Sequence, residues 1–320
     1  MTTATSDFKA AAEGSLRAAS PLHDIARAKV NLTLEVRGRR ADGYHELESL
    51  VAFTRFGDRL TLEPGRPFSL EVTGPFASAI EGGNLIEKAA ALHAAEEAGA
   101  GGTVAGARVP LGAFRLEKHI PVAAGLGGGS ADAAAALRLL SEDGGGSAVE
   151  RGALLPLASN LGADVPVCVH SRPAVMTGIG ERLRLLPSFP DIPIVLVNPR
   201  QRLSTADVFR TLAAPPLVTE QVGEDLPAFY DIDDILAYAE KRSNDLEKPA
   251  RRLQPVIGAV LDRLASCKGA LLTRLSGSGP TCFTLFRCSA HAELAAAELA
   301  RANPAWWIKE TALLSSCKEY

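Results

Sequence analysis

Residues 121–130 read PVAAGLGGGS and run directly into ADAAAALRLL, residues 131–140. Gly125, Gly127, Gly128 and Gly129 let the backbone turn its N–H groups inward and approach a ligand closely. The helix that follows opens with unpaired amides at the positive end of its dipole, so loop and helix together form a cradle for phosphate. Ser130 either caps the helix or offers its hydroxyl to a phosphate or a bound Mg²⁺; the plain alternative is a flexible loop with a serine cap. The loop is not a Walker A sequence, because no Gly-Lys-Ser/Thr ends it, and it is not GxGxxG.

Working outward, FRLEKHIPV (114–122) reads as a strand ending at a proline, and the Gly/Ser-rich stretch 141–147 as a connection to a shorter helix ending near Leu161. VPVCV (165–169) carries strand-forming residues, against which Pro166 counts. Nearer the N-terminus, AKVNLTLEV (28–36) alternates as a half-buried strand stopped by Gly38, and RRADGY (39–44) holds the Asp-Gly signal of a tight turn. Residues 50–56 then read as a returning strand and 59–62 as a separate short run. NLIEKAAALHAAEEAG, from Asn84, predicts a helix stopping at Gly99, followed by a Gly-rich connection to Gly106. Beyond a proline-rich passage at 187–193, IPIVLVNP (192–199) begins what reads as a second unit. Helical patterns at 235–240 and 255–265, a CFTLF strand (282–286), an Ala/Glu helix and a last short strand complete it. Interleaved elements with hairpin signals predict an α+β fold rather than a doubly wound sheet.

Composition removes several classes of function. A formal charge of −3, from 34 basic and 37 acidic residues among 320, leaves no electrostatic footprint for nucleic acid or an anionic membrane, so phosphate binding has to be local. Charged residues interrupt every apolar stretch before the ~20 residues that a spanning helix needs. Five cysteines, Cys168, Cys267, Cys282, Cys288 and Cys317, include no CxxC pair and fit neither a disulfide framework nor a zinc site. Residues 1–20 lack the apolar core of a secretory signal and have too few large side chains to offset their ordering entropy, so a disordered or loosely docked tail and a cytoplasmic chain are expected.

Ahead of its Ala-rich helix, the glycine loop resembles the signature loop of the GHMP kinase superfamily, which includes galactokinase, homoserine kinase, mevalonate kinase and phosphomevalonate kinase. Ala28-Lys29-Val30-Asn31-Leu32, Asp42-Gly43-Tyr44-His45, Leu161-Gly162-Ala163-Asp164-Val165-Pro166 and Ser276-Gly277-Ser278-Gly279 follow the superfamily's order. Asp-Gly-Tyr-His narrows the resemblance to the branch acting on 4-diphosphocytidyl-2-C-methyl-D-erythritol, and the match runs from about Ala26 to the C-terminal region. It implies a two-domain α+β fold: a ribosomal protein S5 domain 2-like N-terminal domain over 21–188 and a ferredoxin-like C-terminal domain over 189–320, with 1–20 as a flexible tail. It also implies ATP with Mg²⁺, and transfer of the γ-phosphate to the 2-hydroxyl of the cytidylated substrate in the non-mevalonate isoprenoid pathway.

By the same resemblance Asp164 is the base and Lys29 its partner, while Asn31, on the same strand face as Lys29, contacts the methylerythritol hydroxyls. Tyr44 and His45 take the cytidine, by stacking and by an edge hydrogen bond, with Phe209 as a second aromatic wall and Thr205 as a polar contact. Asn84, Leu85 and Lys118 serve the adenine and ribose end, and Pro121, Ala124, Gly125, Leu126, Gly127, Gly128, Gly129 and Ser130 hold the phosphates. Without the resemblance, an isolated Asp164 is a turn residue, Lys29 a solvated strand residue, Asn84 a helix cap, Phe209 core and Asn244 a helix start. Arg27 replaces a frequent proline and Ala131 a frequent second hydroxyl residue, which leaves protein ligands for Mg²⁺ open. A homoserine or mevalonate kinase would leave Tyr44-His45 without a base to hold. A regulatory protein without turnover would be expected to have lost Lys29 or Asp164, and a purely structural module leaves the glycine loop unexplained.

Overall fold

The computed structural model describes residues 20–99, 111–143, 152–218 and 226–316. The expected N-terminal tail, the Gly-rich connection up to Gly106, most of the 141–147 connection and Cys317 lie outside them, whereas Ser141 falls within a helix.

The architecture is α+β and is organised on one strand. β3 (His45–Glu63) is 19 residues long and merges the two strands expected at 50–56 and 59–62. It pairs antiparallel with β1 (Leu22–Asn31), β2 (Glu35–Arg39), β5 (Ala113–Glu117) and β6 (Ala174–Gly178), and meets β11 (Trp307–Leu313) at Leu313 and Thr54. The strand continues through Gly57-Asp58 because β1 passes very close there. A Cβ at Gly57 would collide with the Ala26 carbonyl and lie 2.8 Å from Arg27 Cα, and the β1 ladder shifts register between Arg27 and Lys29.

Three other expectations are corrected by partners distant in sequence. The strand expected over 28–36 breaks between Asn31 and Glu35, because Leu34 N donates to Ser243 O and Leu34 O accepts from Asp245 N. Gly38 sits inside β2 rather than stopping it. β5 ends at Glu117, not Val122, since the next amides turn to Asp58. VPVCV is not a strand but the core of α4 (Val165–His170): Pro166 occupies the first turn, where its missing N–H costs nothing, and all five residues are buried.

The sheet runs β4 (Ser69–Thr73), β5, β3, β11, β8 (Ile192–Asn198), β10 (Cys282–Phe286), β9 (Ala270–Leu275), with β1, β2, β6 and β7 (Arg182–Leu185) branching from this path. All pairs are antiparallel except β4 with β5. α1 (Leu85–Gly99), α2 (Gly128–Asp143), α3 (Leu155–Leu161) and α4 pack together, burying Ala133 to Leu137 of α2 with Phe53, Leu62 and Phe114. α8 (Val256–Ala265) and α9 (Ser289–Ala302) cover the β8–β10 sheet, over Val197, Ile257 and Phe286. A middle core of Val30, Leu50, Leu126, Phe189 and Phe283 joins the two. α6 (Ile232–Glu240) matches the helical pattern at 235–240, and α7 (Glu247–Leu253) follows the helix start read at Asn244; α5 (Thr205–Leu212) is not expected from the sequence.

Among the described residues no helix is long and apolar enough to cross a membrane, and Cys168, Cys267, Cys282 and Cys288 are free thiols. Gly57→Ala is expected to destabilise the protein by about 1–3 kcal/mol, the usual cost of overpacking, because a backbone rather than a mobile side chain blocks the new methyl. Gly43→Ala, whose Cβ meets nothing within 4 Å, removes the clash and tests only the backbone strain of the β2–β3 turn, where φ is +90°. Chemical denaturation of both variants measures the difference.

Candidate active site

The glycine loop is fixed from two sides. Lys29 N on β1 donates to Leu126 O at 2.9 Å, and Thr281 N donates to Ala124 O at 3.1 Å. Ser276 Oγ accepts from Asn31 N and donates to Gly125 O at 2.9 Å, joining strand, loop and the Ser276–Gly279 turn through one hydroxyl. Gly125 has φ +75°, and a Cβ there would press on the carbonyls of Ser276 and Gly279, so only glycine fits. Asn244 does more than start a helix: its amide donates to the carbonyls of Leu275 and Gly277, holding the same turn from behind. α2 begins at Gly128, so Ser130 lies in its first turn instead of capping it. The first-turn amides open into a cleft of ≈1290 Å³, lined also by Lys29, Asn31, Tyr44, His45, Asn84, Leu85, Asp164, Thr205 and Phe209. That exceeds the ~300–1,000 Å³ usual for one small ligand and leaves room for two.

At the centre of the cleft Lys29 Nζ and Asp164 Oδ1 are 2.9 Å apart, although 135 residues separate them. The lysine is 5% exposed and the aspartate 41%, so the ammonium lies behind a carboxylate that faces the cleft. Asp164 precedes α4 without capping it, which leaves the carboxylate to Lys29. Arg138 of α2 holds the other end of α4, donating to Cys168 O at 2.7 Å and Val169 O at 3.3 Å while pairing with Asp24. Burial pushes the Cys168 thiol up to about 12, with the Asp164 charge adding to it, so this cysteine is no nucleophile. Asn31 gives its amide to Ser49 Oγ at 2.8 Å, and its Oδ1 is buried without a partner.

One end of the cleft is aromatic. His45 stacks on Phe209 with ring centroids 4.7 Å apart, and both line the cleft. Burial, and then the charge of Arg39, hold the His45 imidazole below the ordinary histidine range, which leaves it neutral at pH 7 with one donor and one acceptor nitrogen. Tyr44 stands 60% exposed beside it. Ser204 caps α5 and thereby sets Thr205 and Phe209 one turn apart; Thr205 Oγ1 lies 2.7 Å from Ser278 Oγ.

At the other end Asn84 caps α1, accepting from Ile86 N, and Leu85 reaches towards Gly129, 3.7 Å from where its Cβ would be. Lys118 lines the cleft almost wholly buried: only 3% exposed, its ammonium sits 2.5 Å from both Asp58 and Asp132. Burial opposes its charge, but the two carboxylates outweigh that and hold the ammonium above the usual lysine value. Neither Asp58 nor Asp132 was singled out in the sequence, though Asp132 directly follows the loop in Ser130-Ala131-Asp132 and so carried a signal.

Comparison with known proteins agrees with this geometry. The GHMP kinases N terminal domain matches residues 84–172 and the GHMP kinases C terminal model residues 224–305. A 4-diphosphocytidyl-2-C-methyl-D-erythritol kinase of Rhodopseudomonas palustris is 48% identical over 302 residues, covering 91% of this chain and 96% of its own. A crystal structure of 4-(cytidine 5'-diphospho)-2C-methyl-D-erythritol kinase superposes with a TM-score of 0.69 at 37% identity, over 92% of this chain and 100% of that one. The homoserine kinase of Cytophaga hutchinsonii, 17% identical with a TM-score of 0.65 over 97% and 98% of the two chains, shares the fold alone. With a glycine loop, a paired Lys29 and Asp164 and relatives matching along nearly their full length, the chain belongs to the 4-diphosphocytidyl-2-C-methyl-D-erythritol kinase family of GHMP kinases.

Proposed function

We propose that Asp164 accepts the proton of the 2-hydroxyl of 4-diphosphocytidyl-2-C-methyl-D-erythritol as that oxygen attacks the γ-phosphorus of ATP, the reaction of its family in the non-mevalonate isoprenoid pathway. The observation that carries this role is the Lys29–Asp164 pair, whose lysine is hydrogen-bonded through its backbone to the glycine loop. One strand thereby sets the distance between proton acceptor and phosphate cradle. As the oxygen–phosphorus bond forms and the bond to the β-phosphate oxygen breaks, the proton passes to the carboxylate and ADP leaves. Lys29 offsets the negative charge that the hydroxyl oxygen gains on the way.

Phosphoryl transfer depends mainly on positioning and charge neutralisation, which the loop amides and the first turn of α2 supply on the protein side. Among the described residues no cluster of three or more His, Cys, Asp or Glu could hold a metal ion. Ser130, in the first turn of α2, would be the residue to hold Mg²⁺ together with the ATP phosphates. When bound, Mg²⁺ supplies charge neutralisation on the phosphates. Asn31 and Thr205 flank the methylerythritol, and Tyr44 and His45 hold the cytosine, the neutral imidazole matching its donor–acceptor edge. Asn84 and Leu85 border the nucleoside of ATP. Residues 21–188 and 189–320 are read as two domains contributing opposite walls, with 1–20 as a tail. Unpaired thiols agree with a cytoplasmic enzyme.

Asp164→Ala is expected to lower kcat by ~10²–10⁴-fold while leaving thermal stability and ATP affinity near those of the parent; an active variant would remove the base assignment. Tyr44→Ala is expected to raise KM for the cytidylated substrate about tenfold, the ~1.4 kcal/mol within reach of one aromatic contact, and to leave the ATP KM within about twofold. Equal effects on both substrates would contradict a cytidine role.

A further inference from the structure

Beneath the glycine loop, at the back wall of the cleft, Lys118 and two carboxyl groups meet almost wholly buried. Lys118 Nζ lies 2.5 Å from Asp58 Oδ2 and 2.5 Å from Asp132 Oδ2, and the three residues are 3%, 0% and 2% exposed. They come from three parts of the chain: Asp58 from β3, Lys118 from just after β5 and Asp132 from the first turns of α2. Asp58 Oδ1 also accepts the N–H groups of His119 and Ile120, so one carboxylate holds both the side chain and the backbone where the chain enters the loop. Lys118's own backbone is held by Thr73 O and Phe76 N. At the loop's exit, a Cβ on Gly128 would lie 3.2 Å from Lys118 Nζ and 3.1 Å from Ile120 Cγ2. The ammonium therefore supports the loop's exit from below while its own segment forms the entrance.

Stability alone is a poor explanation for this arrangement. Two carboxylates on one buried ammonium cost desolvation that their attraction does not reliably return, and Asp132 Oδ1 is left buried with no partner at all. What the cluster does fix is geometry, since entrance and exit of the cradle are tied to the same atom.

We propose that Asp58, Lys118 and Asp132 form a positioning strut that sets the separation of the two ends of the phosphate-binding loop, so that Asp132 governs ATP affinity through the loop. The proposal rests on the loop being the ATP phosphate site. It makes a prediction different from that of simple electrostatics. Burial pushes the Asp132 carboxyl up to about 8, so by charge alone removing it from beneath a polyanion should tighten ATP binding or leave it unchanged, whereas loss of the strut should weaken it.

The experiment compares Asp132→Ala with Asp132→Asn, which remove the same ionisable group; only asparagine keeps an oxygen to accept from Lys118 Nζ. Both leave a neutral Lys118–Asp58 pair, and thermal melts establish that each is folded. Binding of Mg-ATP to the purified full chain is measured by calorimetry, alongside steady-state KM for each substrate. Asp132→Ala is expected to weaken ATP tenfold or more in both Kd and KM, with the KM of the cytidylated substrate within twofold; Asp132→Asn is expected to recover to within threefold of the parent. Should Asp132→Ala melt too low to study, Asp132→Ser, which retains a shorter acceptor, is expected to fall between the two. Tighter or unchanged ATP binding in folded Asp132→Ala, equal losses for Ala and Asn, or equal losses for both substrates would each overturn the strut. If the underlying loop assignment is wrong, Gly125→Ala in an otherwise parental chain will bind Mg-ATP as the parent does. That outcome is separate from any behaviour of the Asp132 variants.

Discussion

Everything that places chemistry in this protein depends on β3 being a single uninterrupted strand. Its first residue, His45, stands at the aromatic end of the cleft, Ser49 backs Asn31 near the centre, and Asp58 holds the strut under the phosphate loop. A strand rises ~3.3 Å per residue, so one rigid element fixes the separation of the two ends of the cleft to a length that loops could not hold. Its ladder partners bring in the rest: Lys29 and Asn31 from β1, the entrance to the glycine loop from β5. Gly57 is the local condition for this continuity, because only a residue without a side chain lets β1 cross so closely.

The charges in the cleft are divided between work and support. Lys29 and Asp164 form a pair whose carboxylate is open to the cleft, whereas Lys118 is closed between two carboxylates and almost wholly buried. Both lysines stand next to the glycine loop, one fastened by its backbone to Leu126 and the other beneath Gly128. The net charge of −3 thus conceals a local arrangement in which the glycine loop, a helix N-terminus and Lys29 line one cleft, a set of donors suited to an anion. At the aromatic end His45 is kept neutral by burial and by the charge of Arg39, and stacks on Phe209.

Features encoded over a few residues were legible in the sequence: the glycine loop ahead of its helix, the Asp-Gly turn between β2 and β3, the helix from Leu85 to Gly99 and the CFTLF strand. Features set by distant partners were not. The Val165–Val169 segment has strand-forming side chains, yet burial on every side and a proline tolerated in the first turn make it a helix. The break after Asn31 is imposed by Ser243 and Asp245, and the end of β5 by Asp58. The partnership of Lys29 with Asp164 followed only from resemblance, because no local pattern connects residues 135 positions apart. Lys118 shows the limit of such transfer: its place at the cleft wall was anticipated, but its two buried carboxylates were not.

The most direct measurement is ADP release by the purified protein with Mg-ATP and, separately, 4-diphosphocytidyl-2-C-methyl-D-erythritol, the uncytidylated methylerythritol phosphate, homoserine and mevalonate. Turnover confined to the cytidylated compound is the predicted result. Turnover with another of these acceptors and not with the cytidylated one, or ATP binding without turnover on any of them, would contradict the account.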